Sequence, residues 1–539
     1  MRLPPPFLLL VVVALAGGCQ PAAPPASTTP AESSTSSSPA VGTPAREDGV
    51  AAPAGDGSAK PAAPSWATDS EQPYERWEVC RIRGEKVGYV HTRVEPQQDP
   101  AGTRLDKVTI EQQLILGRSG QQVRQDMRLI SWERPTGELV RFTSELTSSQ
   151  APTRARGEVV GNKLTIEMET AGTTERLVLD WDPSWGGFLA AERLVRSGLK
   201  PRERRTVRAL VPLLHQVGHC ELTGLAYEAE RVQGESLTLL KVQRVDTLGT
   251  TRIESVVWID QHGEIRKTFQ PIPAPGLEVE TTTREVALAD APPASFDLNA
   301  ATVVPVAGLQ TNPHTAVRAT YRARLADRDP AEVFSRGASQ RVQRLDAQRA
   351  ELQVVALRPD SALTLPAEVP PTDDDRRPNS LVQSNDPAVV ALARAAAPGE
   401  TDEWRLAVAL EALVRERVRN RNFTQALASA ADVVRSGEGD CTEHAVLLAA
   451  VCRARGLAAR VAIGLVYVPT SNGFAYHMWN EVWIHDRWIP LDATLARQGI
   501  GCGHLKLVTS SLQGVDAYAA FLPVFQVLGK LELEVVAVE

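Results

Sequence analysis

The sequence predicts an α+β protein, with N-terminal antiparallel β-rich structure followed by a domain of helices packed on an antiparallel sheet. Three observations carry this expectation. From about Tyr74 to Asp290, short runs alternate apolar and polar residues between glycine turns. After Pro378 the apolar spacing changes to a helical period. The chain has 539 residues, enough for about three or four units with real cores. Composition excludes other classes. Lys and Arg number 58 against 65 Asp and Glu, a net charge of −7 with both signs dispersed, so no basic field is available to hold nucleic acid. A mean hydropathy of −0.18 excludes a polytopic membrane protein. Six cysteines are too few for a disulfide-built scaffold.

Residues 1–19 have the layout of an export signal. Arg2 precedes an apolar run from Phe7 to Ala16 that is too short to span a bilayer, and small residues follow. Leu15-Ala16-Gly17-Gly18-Cys19 resembles the lipobox of bacterial lipoproteins, with Ala16 where Leu is commonest. The resemblance implies that Cys19 is lipidated and that the exported chain is anchored to a membrane of the cell envelope, on the periplasmic side in a Gram-negative cell. Residues 20–70 are almost all Pro, Ala, Ser, Thr and Gly, a composition that cannot build a core and reads as a disordered tether.

Residues 71–300 read as a β-rich domain, a curved or sandwiched antiparallel sheet. Turns are expected at Arg83-Gly84-Glu85, Pro135-Thr136-Gly137, Gly161-Asn162 and Gln261-His262-Gly263. One hairpin is directly legible, with Glu158-Val159-Val160 entering the Gly161-Asn162 turn and Leu164–Met168 leaving it. A helix is expected around Gly187–Ser197. His215 and His219 have a spacing a metal accepts, but no third ligand stands near them, so packing or surface roles are expected. Cys80 could pair with Cys220, and Cys452 with Cys502; sequence leaves both open. A scaffold role is expected for this domain. Residues 301–378 read as a small β module and linker, with strand-like runs at Ala316–Leu325 and Glu351–Leu357 and a Pro- and Asp-rich end.

Residues 379–539 carry the chemistry. Helices are expected over Asp386–Ala397, Asp402–Arg419 and Gln425–Arg435. Asp440 and Glu443 then make a D-x-x-E capping box that starts a further helix, with Cys441 in its first turn. There the helix dipole and backbone N–H groups stabilise a thiolate and can serve a developing oxyanion. A strand-like run begins at His477, and Asp492 ends a second run after a turn, so that an antiparallel pair returns the carboxylate toward the imidazole. A turn at Asp486-Arg487 would place Asp492 opposite Glu481, so a bulge or another turn is required. An upstream oxyanion donor is sought around Asn422-Phe423. Beyond about Leu505 a helix near Ala517–Val527, broken by Pro523, and a strand at Leu531–Val538 are expected to complete the domain.

The order Cys, His, Asp on helix start, strand and next strand is the papain-like arrangement. GDCTEHAVLLAAVCRARGLAARVAIG, then HMWNEVW, then WIPLDAT resemble the core of bacterial transglutaminase-like proteins over roughly Asp386–Leu507. The resemblance implies a papain-like transglutaminase core with Cys441 as nucleophile, His477 as general acid and base, and Asp492 as its orienter. It also implies supporting roles for Asp440, Trp479 and Glu481. The substrate would be an amide group of a protein or peptide, attacked to give a thioester and then released to water or an amine. No acidic loop resembles an EF-hand, so no metal or other cofactor is expected. A zinc site drawing on Cys441, His444, Cys502 and His504 has no usual ligand spacing. The competing expectation is a non-catalytic binding or scaffolding lipoprotein that retains the fold.

Overall fold

The computed structural model describes residues 74–539, apart from 149–151, 250, 272–275, 292–294, 307–308, 310, 362–367, 424–426, 514–516 and 518. The signal, Cys19 and the tether therefore lie outside the described residues. Among the described residues, no helix is long and apolar enough to cross a membrane.

Fourteen strands form one antiparallel sheet. β1 (Tyr74–Ile82), β2 (Glu85–Gln98), β3 (Arg104–Arg118), β4 (Gln121–Glu133), β5 (Leu139–Thr147), β6 (Thr153–Val160), β7 (Lys163–Thr170) and β8 (Thr173–Asp180) make a first meander. After helix α1 (Ala190–Arg196), a second follows from β9 (Arg204–Val211), β10 (Gln216–Val232), β11 (Glu235–Leu248), β12 (Thr251–Ile259), β13 (Ile265–Gln270) and β14 (Leu277–Thr282). The meanders join where β14 pairs with β1. Alternation builds the buried face. In β4, Val123, Met127 and Leu129 point inward while Arg124, Asp126 and Arg128 lie on the other face. The hairpin legible at Gly161-Asn162 has a two-residue turn, Val160 facing Lys163, with Gly161 at φ 60°.

Two short helices, α2 (Arg284–Leu288) and α3 (Leu298–Ala301), lead out of the sheet, and β15 (Val304–Pro305) already pairs with a strand of the C-terminal part, at Phe474 and Gly473. β16 (Arg318–Arg324), β17 (Gln340–Arg344) and β18 (Arg349–Val355) make a sheet that β25 (Glu532–Val538) completes, in the order β17-β18-β16-β25. Residues 301–378 thus share both their sheets with the C-terminal part.

Four helices follow: α4 (Pro387–Ala395), α5 (Glu403–Arg417), α6 (Ala430–Ser436) and α7 (Cys441–Ala454). A short parallel pair, β19 (Asn420–Arg421) with β20 (Glu438–Gly439), ties the loops on either side of α6. Every residue of α7 from Cys441 to Arg453 is buried. A helix apolar on all sides must be covered on all sides, and α4, α5 and α6 cover it together with β21 (Ala459–Val468) and β22 (Gly473–Ile484). β23 (Arg487–Leu491) lies beside β22, and β24 (His504–Ser510) beside β21. Pro523 stands in the first turn of α8 (Leu522–Val527), where its missing N–H costs nothing, so it starts this helix rather than breaking one.

Candidate active site

Cys441 is the first residue of α7. The chain reaches it through Gly437, which ends α6 in the left-handed region at φ 67°, and through β20. Asp440 is the N-cap: its Oδ1 accepts from the Thr442 N–H at 2.9 Å, while the Asp440 N–H donates to Glu443 Oε2 at 2.9 Å. The capping box read in the sequence is present. Gly439 lets it close, since a Cβ there would lie 2.3 Å from Glu443 Cβ. Burial, then the Asp440 charge, push Glu443 up to about 8. The cap takes the N–H groups of Thr442 and Glu443, leaving less of the first turn for an oxyanion than the sequence suggests.

His477 sits on β22 and Asp492 just beyond β23. His477 Nε2 and Asp492 Oδ2 are 2.9 Å apart. The hairpin register differs from the expected one. The turn is His485-Asp486, both at positive φ (48° and 60°), so Ile484 pairs with Arg487 and the ladder ends at Asn480 and Leu491. Asp492 then leaves the strand, and its Oδ1 accepts from the N–H groups of Thr494 (2.9 Å) and Leu495 (3.4 Å). The turn shifted by one residue does what a bulge was expected to do.

Helix and hairpin meet because α7 packs on β22, where Asn480 Nδ2 donates to Ala445 O at 2.8 Å. His444, in the first turn with Cys441, donates its Nδ1–H to Asp440 O, 2.6 Å away. Burial lowers its proton affinity, and it lies close enough to Asp492 and His477 for their charges to act on it. Cys441, His477 and Asp492 are all buried, with 2%, 2% and 1% of their surface exposed.

Burial alone would raise the Asp492 pKa. The His477 charge and hydrogen bonds from His477 and His504 outweigh it and hold the carboxyl well below its ordinary range. Donation of Nε2–H to that anion fixes the His477 tautomer and leaves the basic lone pair on Nδ1. Beneath the site, Glu411 of α5 accepts from the N–H groups of Asp492 and Gln498, each at 3.0 Å, and burial pushes its carboxyl up to about 7.

The supporting residues separate into two groups. Asp440 and Trp479 are at the site: the Trp479 ring stacks beside His477, 6.1 Å between centroids at 15°. Glu481 is not. It is buried between Arg460, at 2.6 Å, and Lys506. Burial would raise its pKa, but the Lys506 and Arg460 charges hold it below 4.5. A Glu481→Gln variant leaves two cations around a neutral amide, and a loss of about 3–5 kcal/mol is expected. Because the folded-state pKa is depressed, this contribution is full above the unfolded value of 4.5 and fades as pH falls below it. Melting temperatures of variant and wild type should therefore converge on acidification.

Other expectations resolve differently. The N–H of Phe423 donates to Gln121 Oε1 (2.7 Å), so it is not presented to an oxyanion, and Asn422 Nδ2 donates to Glu438 (2.9 Å). No disulfide joins the described cysteines, Cys80, Cys220, Cys441, Cys452 and Cys502. Cys452 is core, with burial pushing its thiol up to about 12. Among the described residues, His477, Asp492 and His504 are the one group of three side chains whose donor atoms could hold a metal ion, all within 4.8 Å. Both imidazoles bond the Asp492 carboxylate through Nε2.

Sequence reading missed two partners. Arg118, at the end of β3, reaches across from the β-sheet and pairs with Asp440 Oδ2 at 2.6 Å, both side chains buried. The same guanidinium donates to Phe423 O at 3.2 Å and lies 5.8 Å from the Phe423 ring centroid. Local sequence carries no signal for a contact 322 residues apart. His504, which the sequence offers only as a zinc ligand, bonds Asp492.

Residues 390–493 match the family model described as the Transglutaminase-like superfamily. No curated protein matches the chain. Among solved structures, a candidate cysteine protease from Cytophaga hutchinsonii aligns at 17% identity over 42% of this chain and 87% of its own, TM-score 0.26. The periplasmic domain of TgpA from Pseudomonas aeruginosa, bound to ethylmercury, aligns at 15% identity over 34% of this chain and 91% of its own, TM-score 0.22. A beta-barrel-like protein of domain of unknown function DUF1849 from Brucella abortus aligns at 10% identity over 39% and 95%, TM-score 0.28.

Proposed function

We propose that this chain is a thiol enzyme acting on amide carbonyls of proteins or peptides, exported and held at a membrane of the cell envelope by a lipid on Cys19. The observation that carries the chemistry is the His477 Nε2 to Asp492 Oδ2 bond of 2.9 Å, buried beside the helix that Cys441 begins. In this reading His477 Nδ1 takes the Cys441 proton, and the thiolate adds to the amide carbonyl. The imidazolium then returns the proton to the leaving nitrogen as the C–N bond breaks, leaving a thioester on Sγ. Water or an amine then attacks the thioester and releases the thiol. Hydrolysis of a peptide bond, deamidation of glutamine and transfer to an amine differ in the amide attacked and in this last nucleophile. Hydrolysis is favoured, because an exported enzyme meets far more water than amine. The β-sheet domain serves as scaffold.

The test is the alkylation rate of Cys441 against pH, with peptide mapping to separate the other thiols, in wild type and His477→Ala. Fast reaction at about pH 6, below an ordinary thiol pKa of about 8.5, with loss of that reactivity in the variant, is the expected result. Turnover of glutamine peptides with and without an amine then separates the reactions. One observation favours a second reading. Cys441 exposes only 2% of its surface, as a fold retained for binding would allow. Coincident, ordinary thiol titrations in both proteins would establish that reading and end the first.

A further inference from the structure

We propose that His504 is a positioning residue that sets the proton affinity of His477 by sharing the carboxylate of Asp492 with it. The inference rests on the thiol-enzyme reading above and adds a residue to it. Two imidazoles approach one oxygen: His477 Nε2 lies 2.9 Å and His504 Nε2 3.1 Å from Asp492 Oδ2. They come from strands on either side of β21, His477 opposite Gly464 and His504 opposite Val466. Gly464 permits this close assembly, since a Cβ there would lie 2.1 Å from Leu505 O and 3.0 Å from the Trp479 ring. The His504 ring is held edge-on by Trp479, at 5.1 Å, and by His314, at 5.6 Å.

His504 is fully enclosed, and burial lowers its proton affinity below that of an exposed histidine. It is therefore neutral at neutral pH and brings Asp492 one N–H and no positive charge. A carboxylate oxygen that accepts from His504 attracts the His477 imidazolium less strongly. Asp492 itself does not depend on His504 for its place, because Oδ1 is held by the Thr494 and Leu495 N–H groups and its own N–H by Glu411. Removing His504 therefore removes a brake on basicity and leaves the orientation. The other titratable or charged groups acting on this cluster are His314, Glu411 of α5, Asp440 and His444 beside Cys441, and Arg497 beyond β23.

The experiment is the pH profile of Cys441 alkylation in the full chain, comparing wild type, His477→Ala, His504→Phe and His504→Asn, with melting temperatures as a check on folding. Phe keeps the ring contacts and removes the donor, whereas Asn restores an N–H. A stronger Asp492–His477 pair favours the thiolate–imidazolium form, so the midpoint in His504→Phe should fall by about one pH unit. His504→Asn should return it toward wild type. His504→Leu serves as the apolar variant if the Phe protein does not fold. A midpoint in the apolar variant that is unchanged or raised, or no recovery with Asn, overturns the role of His504. A wild-type midpoint that moves when a chelator is added, and does not move in the apolar variant, assigns the trio to a metal and also overturns it. Failure of the thiol-enzyme reading is separate, because wild type and His477→Ala would then coincide.

Discussion

An Asp492→Asn variant is expected to keep its fold and lose about four orders of magnitude in amide turnover, the scale of the same change in serine-type triads. The amide nitrogen would meet His477 Nε2 donor to donor, so the imidazole must adopt the other tautomer, with its proton on Nδ1. An imidazole protonated there cannot take the thiol proton. The backbone around residue 492 is secured by Glu411, and the side-chain Oδ1 contacts with Thr494 and Leu495 can be kept by the asparagine oxygen. Stability should therefore change far less than rate. The measurement is kcat on a responsive peptide amide, with the pH profile of Cys441 alkylation as the direct readout. A variant that keeps the wild-type profile would show that Asp492 does not govern His477.

The second large effect lies outside the helix that Cys441 begins. Arg118→Met removes the cation from a fully enclosed pair with Asp440 and leaves a buried carboxylate uncompensated, a loss of about 3–5 kcal/mol. Asp440 caps the helix that Cys441 begins, so the same change should move the alkylation midpoint as well as the melting temperature. The Arg118→Met, Asp440→Asn double variant should recover part of the stability, because asparagine still caps Thr442 through its oxygen and needs no cation. Additive losses in that cycle would mean that the two residues are not coupled and that the β-sheet does not support the start of the Cys441 helix.

What sequence reveals about this protein follows the range over which its contacts act. Asp440, Cys441 and Glu443 lie within one helical turn, so the cap and the place of Cys441 at the helix start are legible from a few residues. His477 and Asp492 lie on adjacent strands, which made their meeting legible but not the register. That depended on whether the turn was His485-Asp486 or Asp486-Arg487, and only the positive φ of the first pair decides it. Glu481 shows the opposite error. It stands on the same strand as His477 and alternates to the same face, but four residues along a strand is about 13 Å. Its partners, Arg460 and Lys506, come from β21 and β24 instead. Arg118 and His504 were beyond reach because neither has a neighbour in sequence that betrays its partner. The joining of residues 318–355 to β25 was hidden for the same reason, since strand-like runs do not say which strand they pair with.

That last pairing has a consequence in time. The large sheet is built mainly from hairpins between consecutive strands, so most of its contacts close short loops and form early. Bringing β25 to β16, Ala319 opposite Val538, closes a loop that contains the whole of α7, His477 and Asp492. The Arg118–Asp440 pair spans 322 residues, so the cap of the Cys441 helix is expected to gain its cation only after the local hairpins have formed.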